Sequence, residues 1–182
     1  LIFFIAMSWI AIAWHRFILI EESNNYIFPS WNNSRIFKYS LKTIVIVTSV
    51  IFLLIIPFSM INIFISGLGL MLILPAVNIL LFISFYYLFF RAGLVLPSIA
   101  LDEPMSIKQS FFETKNISKE IWGLSVIVIL MILGIGIISG ILAPNNIIGV
   151  LVTSLFQWIV VMISASLMTT LYGHIIERRP IN

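Results

Sequence analysis

Four stretches of this chain, residues 43–66, 70–90, 121–142 and 148–172, are almost entirely apolar and carry no charged side chain. A helix of about 20 such residues reaches across the hydrocarbon core of a bilayer. Each stretch is therefore predicted to be a membrane-spanning helix. A fifth run, residues 1–14, is shorter and reads as the end of a span that begins upstream. The expectation is five visible spans, and six in the full chain.

Composition closes off the soluble alternative. The chain is 61% hydrophobic and 9% charged, whereas a soluble domain carries about 25% charged residues. That leaves too little charge to cover a water-facing surface. There is no cysteine, so no disulfide framework or thiolate metal site exists. The predicted fold class is all-α: one polytopic helical membrane domain over residues 1–182, with amphipathic helices on its cytoplasmic side.

Orientation follows from the loops. The ten Lys and Arg fall in three segments: Arg16, Arg35, Lys38 and Lys42; Arg91, Lys108, Lys115 and Lys119; Arg178 and Arg179. The seven Asp and Glu share those segments. The short turns Gly67-Leu68-Gly69 and Ala143-Pro144-Asn145-Asn146 carry no charge. An excess of Lys and Arg marks the cytoplasmic side. The C-terminus is predicted to be cytoplasmic.

Two cytoplasmic pieces read as surface helices. In the first, Ser34 is the predicted cap, and Arg35, Lys38, Tyr39 and Lys42 share a face opposite Ile36, Phe37 and Leu41. The second starts at Ser106, with Ile107, Phe111, Ile117 and Ile121 on one side at 100° per residue. Ser110, Thr114 and Ser118 recur every four residues within that apolar side. The span ends also echo one another. Trp14-His15-Arg16 leads to Glu21-Glu22, Phe89-Phe90-Arg91 to Asp102-Glu103, and Tyr172-Gly173-His174 to Glu177.

Arg16 and Arg91 each sit at a span end with an uncharged run behind them. Two readings apply: an Arg that snorkels to the interface, or a phosphate-binding group. In the second reading His15, Arg16 and Arg91, with Ser110 and Thr114, form a candidate site for an anionic lipid headgroup. The stripe Arg35, Lys38 and Lys42 has too few charges for a dedicated lipid switch. Gly136 and Gly140 form a small-residue GxxxG pattern, predicted to mark close helix packing with an internal neighbour, a second copy or a membrane partner. Asn62, Asn78 and Gln157 are the amides at membrane depth, read as links between helices, and Pro75 is expected to kink its span.

No charged residue lies in the middle of a span, which speaks against proton- or ion-coupled transport. No HExxH, GxSxG or phosphate-loop motif occurs. His15 and His174 read as isolated. The expectation is no catalytic residue, no metal, no cofactor and no nucleic-acid partner. Membrane lipids are the predicted partners.

Two segments carry a family likeness. Ala13-Trp14-His15-Arg16-Phe17-Ile18-Leu19, with Glu22, resembles a stretch found in a group of proteobacterial inner-membrane proteins. Arg91, Leu94, Leu96, Pro97 and Ala100, followed by Ser106, Ser110 and Thr114, resembles a second signature of that group. These proteins are similar to the YciC-type family and to the membrane domain of some bacterial glycerophosphodiester phosphodiesterases. Ser98 and Asn116 depart from the pattern, standing where Ala and Gly are expected. The resemblance implies about six spans and a bacterial inner membrane as the location. It implies no catalysis, because the phosphodiesterase is a separate domain.

The functional expectation is a non-enzymatic inner-membrane protein tied to envelope or lipid homeostasis. The alternatives are a facilitative transporter or flippase, and a membrane subunit that recruits a partner.

Overall fold

The computed structural model describes residues 2–22, 29–142 and 146–179. The regular structure of the described residues is helical, with no strand among them. In chain order the helices are α1 (Ile2–Ile20), α2 (Asn33–Gly67), α3 (Leu74–Gly93), α4 (Val95–Ala100), α5 (Ile107–Glu113), α6 (Ser118–Leu142) and α7 (Ile147–Ile175). A single 3-10 turn, Met71–Ile73, precedes α3. Asn33–Gly67, Met71–Ala100, Ser118–Ile141 and Ile147–Ile175 are long and apolar enough to cross a membrane, and Phe4–Ile20 is a shorter apolar helix. Outward-facing side chains such as Phe52, Ile63 and Leu72 are exposed, as lipid-facing residues are.

Several boundaries differ from expectation for local reasons. α1 does not stop at residue 14 but runs to Ile20, so His15 and Arg16 lie inside a helix. The cap of α2 is Asn32, not Ser34: the Asn32 side chain accepts from the Arg35 amide at 3.1 Å. The first surface helix and the following span are one continuous helix of 35 residues. Pro75 sits in the first turn of α3, where its missing N–H had no partner to lose, so the expected cause of a kink is absent. The turn after α2 uses Gly69 at φ +71°, a left-handed position that glycine adopts without steric cost. Ser106 caps α5, accepting from the Gln109 amide at 3.1 Å. That helix ends at Thr114 rather than running on to Glu120. Of the second uncharged turn, Ala143, Pro144 and Asn145 lie outside the described residues, and Asn146 caps α7 by accepting from the Ile148 and Gly149 amides.

All ten Lys and Arg and all seven Asp and Glu lie at one end of the bundle. The C-terminal ends of α1, α3 and α7, the N-terminal ends of α2 and α6, and α4–α5 meet there. Three non-glycine residues among those described have positive φ: Glu21 at 53°, Asp102 at 63° and Arg178 at 55°. Each follows one of the three echoed span ends, so the echo has a backbone counterpart.

The core sits at this charged end. Residues 92–98 are all buried, although the sequence reads there as one more apolar run. Val95, Leu96 and Ala100 pack with Ala11 and Ile12 of α1 and with Ile36, Tyr39, Ile46 and Val50 of α2. Leu94 packs the other way, with Leu19, Phe90, Ile121, Val128, Met168 and Tyr172. α4 is thus a short plug held between α1 and α2 on one side and α6 and α7 on the other. Hydrocarbon gives helices no hydrophobic reason to associate, so close packing and polar contacts must hold them together. Both are concentrated at the charged end.

Candidate functional site

Three polar clusters occupy the charged end, each built on different helices. The first is buried. His15 of α1 is wholly inaccessible. Its Nδ1 lies 2.7 Å from Thr169 Oγ1 on α7 and its Nε2 3.1 Å from the Tyr39 hydroxyl on α2. Thr169 also lies 2.8 Å from the Ala165 carbonyl, so the imidazole bridges two hydroxyls, and in its neutral form one ring nitrogen donates while the other accepts. His15 is not isolated, as the sequence suggested, but ties three helices together with both nitrogens committed. Tyr39, expected on the basic stripe, is buried instead.

The second cluster is ionic. Arg16 pairs with Glu22, donates to the Ala100 carbonyl at 2.8 Å and reaches Asp102 at 3.4 Å. Arg35 of α2 holds the same carboxylate through Nε at 3.2 Å and Nη2 at 2.5 Å. Asp102 directly follows the plug, so two arginines clamp the end of α4 to α1 and α2. The hydrogen bond from Arg35, together with the charges of Arg35, Arg16 and Lys38, holds the Asp102 carboxyl below its usual range against the opposing effect of desolvation.

The third cluster surrounds Arg91. Its Nε donates to Thr114 Oγ1 at 3.1 Å, its Nη1 to the Tyr87 hydroxyl at 3.0 Å and its Nη2 to the Phe111 carbonyl at 2.8 Å. The guanidinium lies 4.9 Å from the centre of the Phe111 ring. Ser110 donates back to the Arg91 carbonyl at 2.6 Å, and Thr114 to the Ser110 carbonyl at 2.8 Å. These bonds fasten α5 onto the end of α3. Ser118 lies on the next helix and meets the Tyr87 hydroxyl at 2.7 Å. Arg91 is half-buried, yet no carboxylate among the described residues lies within ion-pair distance of it.

Arg91, Ser110 and Thr114 therefore come together, while Arg16 and His15 belong to separate sets. No hydrogen bond or ion pair joins the three clusters among the described residues. Arg179 adds a fourth fastening, pairing with Glu177 and donating to the Leu19 carbonyl.

The remaining singled-out residues are placed plainly. A Cβ built on Gly136 or Gly140 meets no atom within 4 Å, so neither glycine marks a close helix approach within the described chain, although Ser139 between them lies 3.3 Å from Thr153 of α7. The close approach falls elsewhere. At Gly93 a Cβ would overlap the end of the Met168 side chain. The amides of Asn62 and Asn78 donate to the Phe58 and Leu74 carbonyls of their own helices and link no others. Gln157 lines a cavity of about 390 Å³ between α6 and α7. A second cavity of about 480 Å³, between α2, α3 and α6, is walled by aliphatic and aromatic side chains such as Ile51, Leu54, Phe82 and Ile129.

Sequence reasoning missed Tyr39, Thr169 and Asp102 as partners. Thr169-Thr170 placed hydroxyls about one and a half turns before the end of α7, but nothing local says which helix they face. No family model, characterised protein or solved structure matches the chain.

Proposed function

We propose that this chain is a non-enzymatic integral protein of the bacterial inner membrane, with its charged end and C-terminus in the cytoplasm. It serves envelope or lipid homeostasis and holds an anionic lipid headgroup at the cytoplasmic rim. The family resemblance drawn above belongs to the same reading. One observation carries it: Arg91 is a half-buried cation with three neutral hydrogen-bond partners and no carboxylate among the described residues, whereas Arg16 at the same end of the bundle is neutralised. A guanidinium at the depth of the headgroups favours a phosphate as its missing counter-ion. Ser110 and Thr114 fix its position. His15 and Arg16 enter the reading as the groups that hold α1 and the plug in place.

The test is native mass spectrometry of the protein from nanodiscs of mixed phosphatidylglycerol and phosphatidylcholine. Preferential retention of phosphatidylglycerol, lost in Arg91→Ala, is expected. Equal retention in the variant removes the reading.

Two other readings rest on specific features. The cavity beside Gln157 favours a facilitative transporter or flippase, which a lipid-scrambling measurement in proteoliposomes would detect. The open space at Gly136 and Gly140 favours a membrane partner or a second copy, which crosslinking from Gly140→Cys would capture.

A further inference from the structure

We infer that the outer side of α5, with Phe112 at its centre and Lys108 and Lys115 beside it, is a docking surface for the anionic lipids of the adjoining leaflet. The inference rests on the reading above only in placing the charged end at a membrane surface. It differs in kind. There one phosphate pairs with Arg91, whereas here a helix sets an aromatic side chain among many headgroups.

The hydroxyls of α5 fix its orientation. Ser110 and Thr114 are fully buried and fasten the helix to the last turn of α3. Phe112 is two residues from each, nearly opposite them at 100° per residue, and so points away from the bundle. It is 73% exposed, more than any other aromatic side chain described. Lys108 lies one turn earlier on the same side and Lys115 follows the helix directly, and both are exposed.

Depth follows from the fastening. Packed helices lie about 8–10 Å apart, so α5 is held within one helix diameter of the point where α3 ends. The headgroup layer is about 5–7 Å deep on each side of the hydrocarbon. The outer side of α5 therefore lies within reach of that layer. Trp122, 47% exposed at the start of α6, stands at the same rim, where aromatic side chains are preferred.

Charge selects the lipid. Arg91, Lys108, Lys115 and Lys119 have no carboxylate within ion-pair distance among the described residues, whereas Arg16, Arg35 and Arg179 each hold one. Glu113 and Glu120 belong to the same stretch, so two carboxylates stand against four cations. Glu120 sits in the first turn of α6, where the helix N-terminus favours it. Groups of about four or more cations beside a span or on an amphipathic helix are the pattern that attracts anionic lipid. An acidic soluble protein is the competing occupant, and the test separates the two.

The chain has no cysteine, so Phe112→Cys in the full chain carries a single nitroxide label. Power saturation with oxygen, which enters lipid, and with a nickel chelate, which stays in water, reads its surroundings in nanodiscs. With mixed phosphatidylglycerol and phosphatidylcholine the label is expected to be shielded from the chelate and open to oxygen. In phosphatidylcholine alone the ratio of shielded to aqueous label should fall fivefold or more, since each lysine near an anionic surface contributes about fivefold. Lys108→Gln with Lys115→Gln should reproduce that fall without changing the lipid. Hydroxyl-radical footprinting of Phe112 in the unmodified protein gives the same comparison without a label. A label open to the chelate in both lipids overturns the inference and leaves the surface to a soluble partner. Shielding that ignores lipid charge overturns it as well. An aqueous label with phosphatidylglycerol retention still dependent on Arg91 sinks this inference alone, and shielding with retention unchanged in Arg91→Ala sinks only the earlier reading.

Discussion

The His15 ring and the Thr169 hydroxyl lie 2.7 Å apart although 154 residues separate them in sequence, and that bond joins the first described helix to the last. Tyr39 completes it on the opposite ring nitrogen. The chain of contacts runs from Tyr39 through the imidazole and Thr169 to the Ala165 carbonyl, and both ring nitrogens are engaged.

Thr169→Val keeps the shape of the side chain and leaves His15 Nδ1 without its hydrogen-bond partner. Interhelical hydrogen bonds in membranes are worth about 0.6 kcal/mol, reaching about 1.7, and a stranded buried donor or acceptor costs about 1–3 kcal/mol. A loss of roughly 1–2 kcal/mol is expected in reversible unfolding by SDS. The same variant combined with His15→Phe should cost less than the two single losses added, because both remove one bond. Strict additivity would mean that the relay is not coupled.

The carboxylate of Asp102 gives stability a pH dependence. Its folded pKa is lowered, chiefly by the Arg35 hydrogen bond, so its contribution is fully present above the ordinary carboxylate value of about 3.9. It is lost as pH falls from there toward the lowered folded value. Tm should therefore fall below about pH 4 in the parent more steeply than in Asp102→Asn. The contribution is small and screened by salt, since Asp102 is largely exposed. Parallel curves for the two proteins would contradict the clamp.

Arg91 fastens α5 through three donors that a lysine cannot reproduce with one ammonium group. Arg91→Lys should leave the spanning helices folded and loosen the segment 105–117. Hydrogen–deuterium exchange at Ser110, Thr114 and Lys115 is expected to speed up by about tenfold or more, since hydrogen bonds to charged groups are worth about 1.5–3 kcal/mol. Unchanged protection there would assign the docking of α5 to apolar packing alone.

At Gly140 a methyl group has open space around it. Gly140→Ala should raise monomer stability by about 0.5–1 kcal/mol, the usual gain at a helix interior. A loss instead would show that the glycine face is in use by a partner or a second copy in the sample, and sedimentation in matched detergent would tell which.

The spanning helices were legible because an uncharged run of that length admits few other fates. The charged end was legible only in part. The four-residue spacing of Ser110 and Thr114 puts both hydroxyls on one helix face, where Arg91 meets them. Nothing in the spacing indicated that Asp102 would serve Arg16 and Arg35 rather than an arginine of its own segment. The burial of residues 92–98 was invisible for a physical reason. Lipid and protein interior are equally apolar, so a helix facing either has the same composition, and the polarity contrast that marks a soluble core is missing. The His15 relay escaped because both of its partners are distant in sequence and each looks ordinary where it stands.

The plug formed by α4 also sets an order of events during synthesis. Its seat against Leu94 includes Met168 and Tyr172, which the ribosome adds long after α4 itself. At about 5–20 residues per second, the plug spends several seconds without its final neighbour. Through that interval the face of Leu94 must be shielded by lipid or by an insertion factor. Stalled nascent chains carrying a photoreactive side chain at residue 94 should crosslink to such outsiders when truncated before α7, and to Met168 or Tyr172 only once α7 has been released.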